Sequence, residues 1–575
     1  MRKELLLLGA FGMLTTATLC AQEFHLQPTP QEYITQKDSV DIPRQYQILS
    51  GNSVQDGPAL PLLRSLMPEE VLGASFRVYI GVKGDKIIKK YQHRIPRKSE
   101  GYFLKIEKDC IVIAGADERG AYYGVQTLAQ LLALDKLPLA EVTDYPDVPY
   151  RGVVEGFYGA PWSQEARIRQ LDFYGRNKMN VYIYGPKDDP YHRTPNWRKP
   201  YPAREGEELK VLVNRAKENN VIFYWAIHPG QDIRWNEEDR SLLLQKFESM
   251  YQLGVRGFAV FFDDISGEGT KADKQAELLN YIDDHFVKVK RDVAPLILCP
   301  TEYNKSWTDV EGGYLTTLGD KLNEGIKVMW TGDMVVATID KSTLDFVNPL
   351  LKRKAYIWWN FPVSDYVQDH LLLGPVYGNG LDVKDDMSAF VSNPMEHAEA
   401  SKISLYSVAD YTWNMENYDS ETSWKHAVRD LMPLHAEYLE IFAAHNSDPG
   451  QNGHRFRREE SVAIQPALSA LLKAYQEKNE IDEDAYRQVA EECRKIIVAA
   501  DGLLASGNEN RPLITEIRPW LIQFKQVGEY GAEVLNMIRL RQQKDAFIGS
   551  YEHARALLVL MGETDAQYKA GIKSG

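Results

Sequence analysis

The sequence predicts an α/β protein of several domains, organised around a (β/α)8 barrel of the TIM type. Its 575 residues exceed the size at which a single hydrophobic core usually stops growing. Short apolar strand candidates alternate with helical segments through the middle of the chain, as in a barrel of parallel strands. A region of mixed strands and helices precedes this pattern, and a region rich in helix formers follows it. We therefore expect an N-terminal α+β domain, a central barrel and a C-terminal helical bundle.

Residues 1–21 have the pattern of a secretory signal peptide. Two basic residues precede an apolar stretch from Leu5 to Leu19, and the small residues around Cys20 suit a cleavage site. A membrane anchor is the alternative, but threonines interrupt the stretch, which falls short of the roughly 20 residues that a span requires. Lipid attachment at Cys20 also stays open. We expect an exported protein, periplasmic or secreted, with no integral membrane segment.

Residues 22–147 predict the α+β domain. A strand candidate at Phe76–Ile80 is followed by a hairpin signal, Tyr102–Ile106 and Cys110–Ala114, and by an amphipathic helix over about 118–132. Two aspartates and two prolines alternate between Asp144 and Pro149, which is typical of a linker. The domain is expected to end there.

Residues 148–435 predict the barrel. Eight strand candidates are Arg151–Val154, Val181–Tyr184, Val221–Ile227, Gly257–Phe262, Pro295–Cys299, Ile326–Trp330, Ala355–Trp359 and Ser388–Ser392. Helical candidates between them are Glu165–Asn177, Glu207–Asn219, Glu238–Leu253, Lys274–Lys288 and Lys341–Leu351. An open doubly wound sheet would also alternate, but it would not need eight units. Residues 436–575 predict helices around 459–477, 484–504 and 514–544.

Composition excludes several classes of partner. The net charge of −14 and the absence of a basic block disfavour nucleic acid as a ligand. His228 follows the third strand, but no second histidine is spaced as a zinc ligand. Magnesium or calcium at Asp188–Asp189 or at Asp263–Asp264 stays an open alternative.

Cys110, Cys299 and Cys493 have apolar neighbours and are interpreted as small core residues, with no disulfide framework.

The adjacent carboxylates of Asp263 and Asp264 follow the apolar strand Gly257–Phe262. The reactive residues of a barrel gather at the carboxyl ends of its strands, so this position favours a catalytic role. The chain has three other Asp–Asp pairs, for which a helix cap or a surface loop is the ordinary interpretation. Two close carboxylates disfavour joint ionisation, so that one can donate a proton while the other stays anionic. The pair therefore predicts acid–base chemistry.

Aromatic and amide side chains at other strand ends indicate a sugar ligand. Tyr158, Tyr303 and Trp358 suit the apolar faces of a pyranose ring, and Asn360 suits its hydroxyl groups. Alternation along the strand lets only one of Trp358 and Trp359 face the barrel interior, and the other is expected to pack between the layers.

Four segments at the strand ends carry a family resemblance: RGVVEGFYG at 151–159, YGPKDDPY at 184–191, FFDDI at 261–265 and WWNFP at 358–362. Together they resemble the bacterial O-GlcNAcase family, the family 84 glycoside hydrolases, which are retaining β-N-acetylglucosaminidases with hyaluronidase-like members. The resemblance covers about residues 22–560. It implies the same three-part chain and a substrate-assisted reaction, in which the sugar's own 2-acetamido oxygen attacks the anomeric carbon to form an oxazoline.

The resemblance also implies roles for particular residues. Asp263 would orient and polarise the acetamido group, and Asp264 would protonate the departing oxygen and later deprotonate water. The other matching positions are Gly156, Lys187, Asn360, Asp365 and Asn393 around the sugar hydroxyls, Tyr303 on the acetamido oxygen, and Thr331, Val335 and Trp358 along the wall. No cofactor is implied.

Two other functions stay open from the residues alone: a catalytically silent sugar-binding barrel and a metal-dependent hydrolase. The expected partners are glycans or glycoproteins that carry β-linked GlcNAc, although the sequence does not name the natural glycan. The long C-terminal helices are compatible with a homodimer.

Overall fold

The computed structural model describes residues 25–67 and 69–568. The predicted signal peptide and Cys20 lie outside the described residues. The N-terminal elements are β1 (Glu32–Val40), β2 (Gln47–Ser50), α1 (Ala59–Leu66), β3 (Arg77–Val82), β4 (Tyr102–Ile106), β5 (Cys110–Gly115), α2 (Glu118–Leu132) and β6 (Leu137–Asp144). The strands form one mixed sheet in the order β1-β6-β4-β5-β3-β2. The predicted hairpin and helix are confirmed; β1, β2, α1 and β6 were not predicted.

The middle of the chain closes into a barrel of eight parallel strands, which confirms the predicted architecture. The strands are β7 (Tyr150–Glu155), β8 (Val181–Tyr184), β9 (Ile222–Ile227), β10 (Gly257–Phe261), β11 (Ile297–Cys299), β12 (Lys327–Trp330), β13 (Ala355–Trp359) and β14 (Met387–Ser392). Apolar side chains of alternate residues fill the barrel interior. Because the strands are parallel, their carboxyl ends meet at one mouth.

Helices surround the barrel. They are α3 (Gln164–Arg176), α4 (Ala203–Glu218), α5 (Glu237–Gln252), α6 (Ala272–Ile282), α7 (Tyr314–Lys321), α8 (Lys341–Leu351) and, after the last strand, α9 (Ala398–Trp413). The sixth helix ends at Ile282 and continues as a π-helical turn to Val287, short of the predicted Lys288. Residues 360–386, all of them described, hold no helix between β13 and β14.

Helices make up the C-terminal region, as predicted. They are α10 (Ser420–Leu431), α11 (Ala436–Ala444), α12 (Gln465–Lys478), α13 (Glu483–Ala505), α14 (Arg511–Leu540) and α15 (Lys544–Tyr568). The helix α14 packs between α13 and α15 and also contacts α9 of the barrel. Of the helices in the described ranges, none is both long and apolar enough to cross a membrane. The three described cysteines are unpaired.

Candidate active site

A cavity of about 380 Å³ lies at the mouth formed by the strand ends. All the site residues that the sequence predicts line it: Gly156, Lys187, Asp263, Asp264, Tyr303, Thr331, Val335, Trp358, Asn360, Asp365 and Asn393. They come from seven of the eight strand ends and from the loop after β13. The structure therefore brings the whole predicted set together, while the role of each residue stays a prediction.

Asp263 is a buried carboxylate beside two potential cations. Its Oδ2 lies 2.8 Å from Lys187 Nζ, and its Oδ1 lies 3.4 Å from His228 Nε2. Burial alone would raise its pKa, but the charge of Lys187 and the proximity of His228 lower the pKa far below its usual range. The carboxyl is consequently anionic at neutral pH.

One oxygen of Asp263 is available to a ligand. Oδ1 is buried and accepts no hydrogen bond from the described residues. His228 Nε2 lies 2.8 Å from the Asp263 carbonyl oxygen, so this nitrogen carries the proton and donates it to the backbone. A buried anionic acceptor without a donor is costly, and an incoming N–H group would satisfy it.

Asp264 has a different environment, although it is the next residue. Its backbone is left-handed, with φ of 54°, which turns the chain sharply where the regular strand has ended. The side chain is exposed at the cavity mouth, where Oδ1 accepts from the Tyr303 hydroxyl at 2.9 Å and Oδ2 from the Tyr158 hydroxyl at 3.1 Å. The turn explains how both carboxylates face one cavity, which strand alternation would prevent.

A hydrogen-bonded network in the cavity wall fixes two amides. Asn360 Oδ1 accepts from Trp358 Nε1 at 2.8 Å and from Asn393 Nδ2 at 3.0 Å, and Asn360 Nδ2 donates to the Val335 carbonyl at 2.7 Å. Gly156 is required here, because a Cβ at this position would lie 2.5 Å from Trp358 Cζ2. Trp358 faces the cavity, whereas Trp359 is fully buried between the layers, as alternation predicted.

Two predicted site residues contact the aspartates in the structure, and their predicted contacts with the sugar stay predictions. Tyr303, expected on the acetamido oxygen, donates its hydroxyl to Asp264. Lys187, expected among the sugar hydroxyls, pairs with Asp263. Asp365 lies farther along the wall; its Oδ2 accepts from the Tyr158 backbone N–H at 2.9 Å, and burial raises its pKa.

Sequence reasoning missed several residues of the cavity: Cys299, Trp307, Val336, Val363, Tyr366 and His454. Trp307 is 48% exposed and its ring centroid lies 4.8 Å from that of Tyr303. Trp307 lies four residues after Tyr303 in the same loop, and this position could have been used to predict that it lines the cavity. His454 comes from a loop after α11, beyond the barrel, and no sequence pattern marked it. Within the described ranges, no group of three or more His, Cys, Asp or Glu residues could hold a metal ion.

The family model described as beta-N-acetylglucosaminidase matches residues 151–444, which is half of the chain. The chain belongs to this family. A model of the bacterial family 84 post-catalytic domain matches residues 460–575, and one of the second domain of family 20 glycosyl hydrolases matches residues 23–145. The three models follow the three structural regions in order.

Known relatives agree with the family. Rat Protein O-GlcNAcase is 35% identical over 276 residues, 46% of this chain and 30% of the rat protein, and a Vibrio vulnificus β-hexosaminidase is 29% identical over 29% of this chain and 19% of its own. The chain thus spans less than a third of these curated relatives. Over almost its whole length it is similar to the solved structure of CpGH84B, with a TM-score of 0.87, 32% identity, and coverage of 95% of this chain and 97% of the other. A Thermobaculum terrenum O-GlcNAc hydrolase mutant has a TM-score of 0.65 and 26% identity, covering 74% of this chain and 92% of its own.

Proposed function

We propose that this protein is a retaining exo-β-N-acetylglucosaminidase of the O-GlcNAcase type, which hydrolyses terminal β-linked GlcNAc from glycans or glycoproteins. One observation carries the proposal. A buried, anionic Asp263 with an unpartnered Oδ1 lies beside Asp264, whose carboxyl is held at the cavity mouth by two tyrosine hydroxyls. This arrangement suits a substrate that brings an N–H donor to the first carboxylate and a basic leaving oxygen to the second.

In the first step, Asp263 Oδ1 accepts the acetamido N–H of the bound sugar. The anion increases the electron density on the acetamido oxygen, which attacks the anomeric carbon while the bond to the leaving oxygen breaks. The proton of Asp264 passes to that oxygen. The product of the step is a bicyclic oxazolinium ion, the protonated oxazoline, which keeps its N–H proton and is paired with the Asp263 carboxylate. The substrate supplies the nucleophile, so the chain forms no covalent bond to the sugar.

In the second step, water attacks the anomeric carbon from the face that the leaving group vacated. Asp264, now a carboxylate, takes a proton from the water, and the bond from the anomeric carbon to the acetamido oxygen breaks. Two inversions give net retention. The exposure of Asp264 supports this part, because a group that first donates to the leaving oxygen and then meets water has to face the mouth.

Lys187 and the wall amides have supporting roles. Lys187 holds Asp263 in its anionic form, while Asn360, Asn393 and Asp365 present hydrogen-bonding groups to the ring hydroxyls. Trp358 supplies an apolar surface.

Export through the N-terminal segment is part of the proposal, and extracellular glycans would then be the substrates. Mass spectrometry of the mature N-terminus of the protein from an expressing bacterium tests whether the segment is cleaved.

The test compares Asp264→Ala with Asp385→Ala, the same change in another Asp–Asp pair, at an exposed position. Wild-type protein should release aryl alcohols from aryl N-acetyl-β-glucosaminides. Asp264→Ala should lose about 100-fold or more in kcat/KM on substrates with a poor leaving group and much less on dinitrophenyl substrates, which need no proton. Asp385→Ala should match wild type. No turnover by wild type would favour a silent sugar-binding barrel, and equal losses on both substrates would remove Asp264 from the acid role.

A further inference from the structure

The loop between α11 and α12, residues 447–461, reaches back from the helical region to the cavity. His454 lies in this loop and lines the cavity beside Asp365 and Tyr366. Its ring packs edge-on against that of Tyr366, with centroids 4.9 Å apart. The helical region therefore contributes to the substrate site, on the side of the cavity where Asp365 lies.

Hydrogen bonds within the loop give it a fixed shape. Glu460 Oε2 accepts from the backbone N–H groups of Ser447 at 2.6 Å and of Asp448 at 2.9 Å, which closes the base of the loop. Asp448 Oδ1 accepts from the Arg458 N–H at 2.9 Å. Asn452 Nδ2 donates to the carbonyl of Phe456 at 2.7 Å, across the turn that carries His454.

Arg458 joins this loop to the cavity wall. The residue is 6% exposed, and its guanidinium carbon lies 3.5 Å from the ring centroid of Tyr377 and 4.4 Å from that of Phe361. Its side chain donates to the carbonyl oxygens of Tyr377, at 3.2 Å, and of Pro375. These partners all belong to the segment after β13, the one that carries Asp365 and Tyr366.

No acidic side chain pairs with this buried guanidinium within the described residues. Its partners are carbonyl dipoles and aromatic faces, which suit a planar guanidinium better than other side chains, while its Nε has no hydrogen-bond partner among the described residues. Burial lowers the pKa of Arg458 to about 10, so it is charged at neutral pH. A buried charge held in this way fixes the geometry of the two segments it joins, since few other arrangements would satisfy it.

We propose that Arg458 is a positioning residue for substrate binding: it holds the loop 447–461 against the segment after β13, so that His454 and Tyr366 complete the cavity on the side of Asp365. The inference rests on the proposed function. Neither His454 nor Tyr366 forms a hydrogen bond or ion pair with Asp263 or Asp264, so we expect both side chains to contribute to binding in the ground state and the transition state alike. Loss of such contacts raises KM and leaves kcat nearly unchanged.

The test compares Arg458→Met with Arg455→Met, the same change at an exposed position of the same loop. Arg458→Met should raise KM for an aryl N-acetyl-β-glucosaminide about tenfold, with kcat within about threefold of wild type. Arg455→Met should change neither. Equal KM values for the two variants would overturn the inference, whereas absence of turnover by wild type would instead contradict the proposed function.

A second measurement separates positioning from general destabilisation. His454→Ala removes the side chain that the loop presents to the cavity. In a protein that already carries this change, adding Arg458→Met should raise KM only a little further. Full additivity of the two effects would overturn the inference. Should Arg458→Met not fold, Arg458→Lys takes its place: lysine keeps the charge but cannot stack on Tyr377 and donate to both carbonyls. It should show the same rise in KM, and a KM equal to that of wild type would count against positioning.

Discussion

At the scale of single residues, two neighbouring aspartates acquire opposite environments from one change in backbone conformation. The carboxyl of Asp263 is buried beside Lys187 and His228. The left-handed turn at Asp264 brings the carboxyl of Asp264 to the cavity mouth. The sequence could predict the location of the pair, because an apolar strand precedes it. It could not predict that turn or the partner cation, since Lys187 lies far away in the sequence and only barrel closure brings it near.

Replacing Lys187 should shift the acidic limb of the pH profile. Lys187 lowers the pKa of Asp263 against the effect of burial, so Lys187→Met lets the pKa rise. The reactive form is the carboxylate, which exists above this pKa and is lost as the pH falls. The acidic limb of kcat/KM should therefore move upward, by about 1–3 pH units. An unchanged limb would show that Lys187 does not control the ionisation of Asp263; exposed Lys83→Met is the control.

Gly156 offers a steric test of the cavity wall. A Cβ at this position would lie 2.5 Å from Trp358 Cζ2, so Gly156→Ala must displace the indole from the sugar side. We expect KM for the aryl substrate to rise about tenfold, which corresponds to a loss of about 1.4 kcal/mol in binding free energy. Gly325→Ala, where a Cβ meets no atom within 4 Å, is the matched control. Equal behaviour of the two variants would argue against a role for Trp358 in binding.

At the scale of elements, the strands were more predictable than the helices. Each barrel strand is a short, nearly continuous apolar segment between polar ends, because it is buried on both faces, and all eight lie within two residues of their predicted bounds. The helix α7 was missed because it is only eight residues long, from Tyr314 to Lys321, and lacks a side-chain cap. The loop with His454 could not be assigned to the site, since a loop's destination depends on tertiary packing.

The first turn of α9 depends on a carboxyl from another helix. Glu516 of α14 accepts from the backbone N–H groups of Glu399, at 2.7 Å, and Ala400, at 3.1 Å, where α9 has no side-chain cap of its own. Burial raises the pKa of Glu516 to about 7. Its proton is bound more tightly in the folded state, so its contribution to stability is full below about pH 4.5 and is lost as the pH rises through 7.

Glu516→Gln should remove this pH dependence. The amide oxygen can still accept both N–H groups but carries no charge to bury. The free energy of unfolding of the variant minus that of wild type should be on the order of 2 kcal/mol larger at pH 8 than at pH 5. Urea denaturation of both proteins at the two pH values measures this difference. Glu477→Gln, an exposed change on α12, should show no such difference. A constant offset between Glu516→Gln and wild type at both pH values would contradict the assignment.

At the scale of the whole molecule, a buried polar cluster joins the N-terminal domain to the barrel. Lys178 Nζ lies 3.0 Å from Asp144 Oδ2 and 2.9 Å from the Tyr102 hydroxyl, and Trp413 Nε1 donates to Asp144 Oδ1 at 2.8 Å. The three-part organisation was predictable from composition and periodicity. The docking of the parts was not, because the residues that join them are far apart in the sequence and match no motif.

Breaking this cluster should destabilise the protein without altering the site. Lys178→Met leaves the buried carboxylate of Asp144 without its cation, and we expect a loss of about 3–5 kcal/mol in unfolding free energy. Lys108→Met, at a side chain 76% exposed, should cost little. Urea denaturation measures both, and KM of the folded variants should equal that of wild type. A loss as small as that of Lys108→Met would show that the cluster does not hold the domains together.

The most direct test of the proposed chemistry changes the substrate's own acetamido group. Fluorine atoms on the acetyl methyl withdraw electrons from the oxygen that would attack the anomeric carbon, so kcat/KM of the wild-type protein should fall steeply from the acetamido to the trifluoroacetamido aryl glycoside. The β-anomer of the free sugar should also appear first by NMR. Equal rates on the two substrates, or a covalent bond between an aspartate and the sugar, would contradict substrate-assisted catalysis.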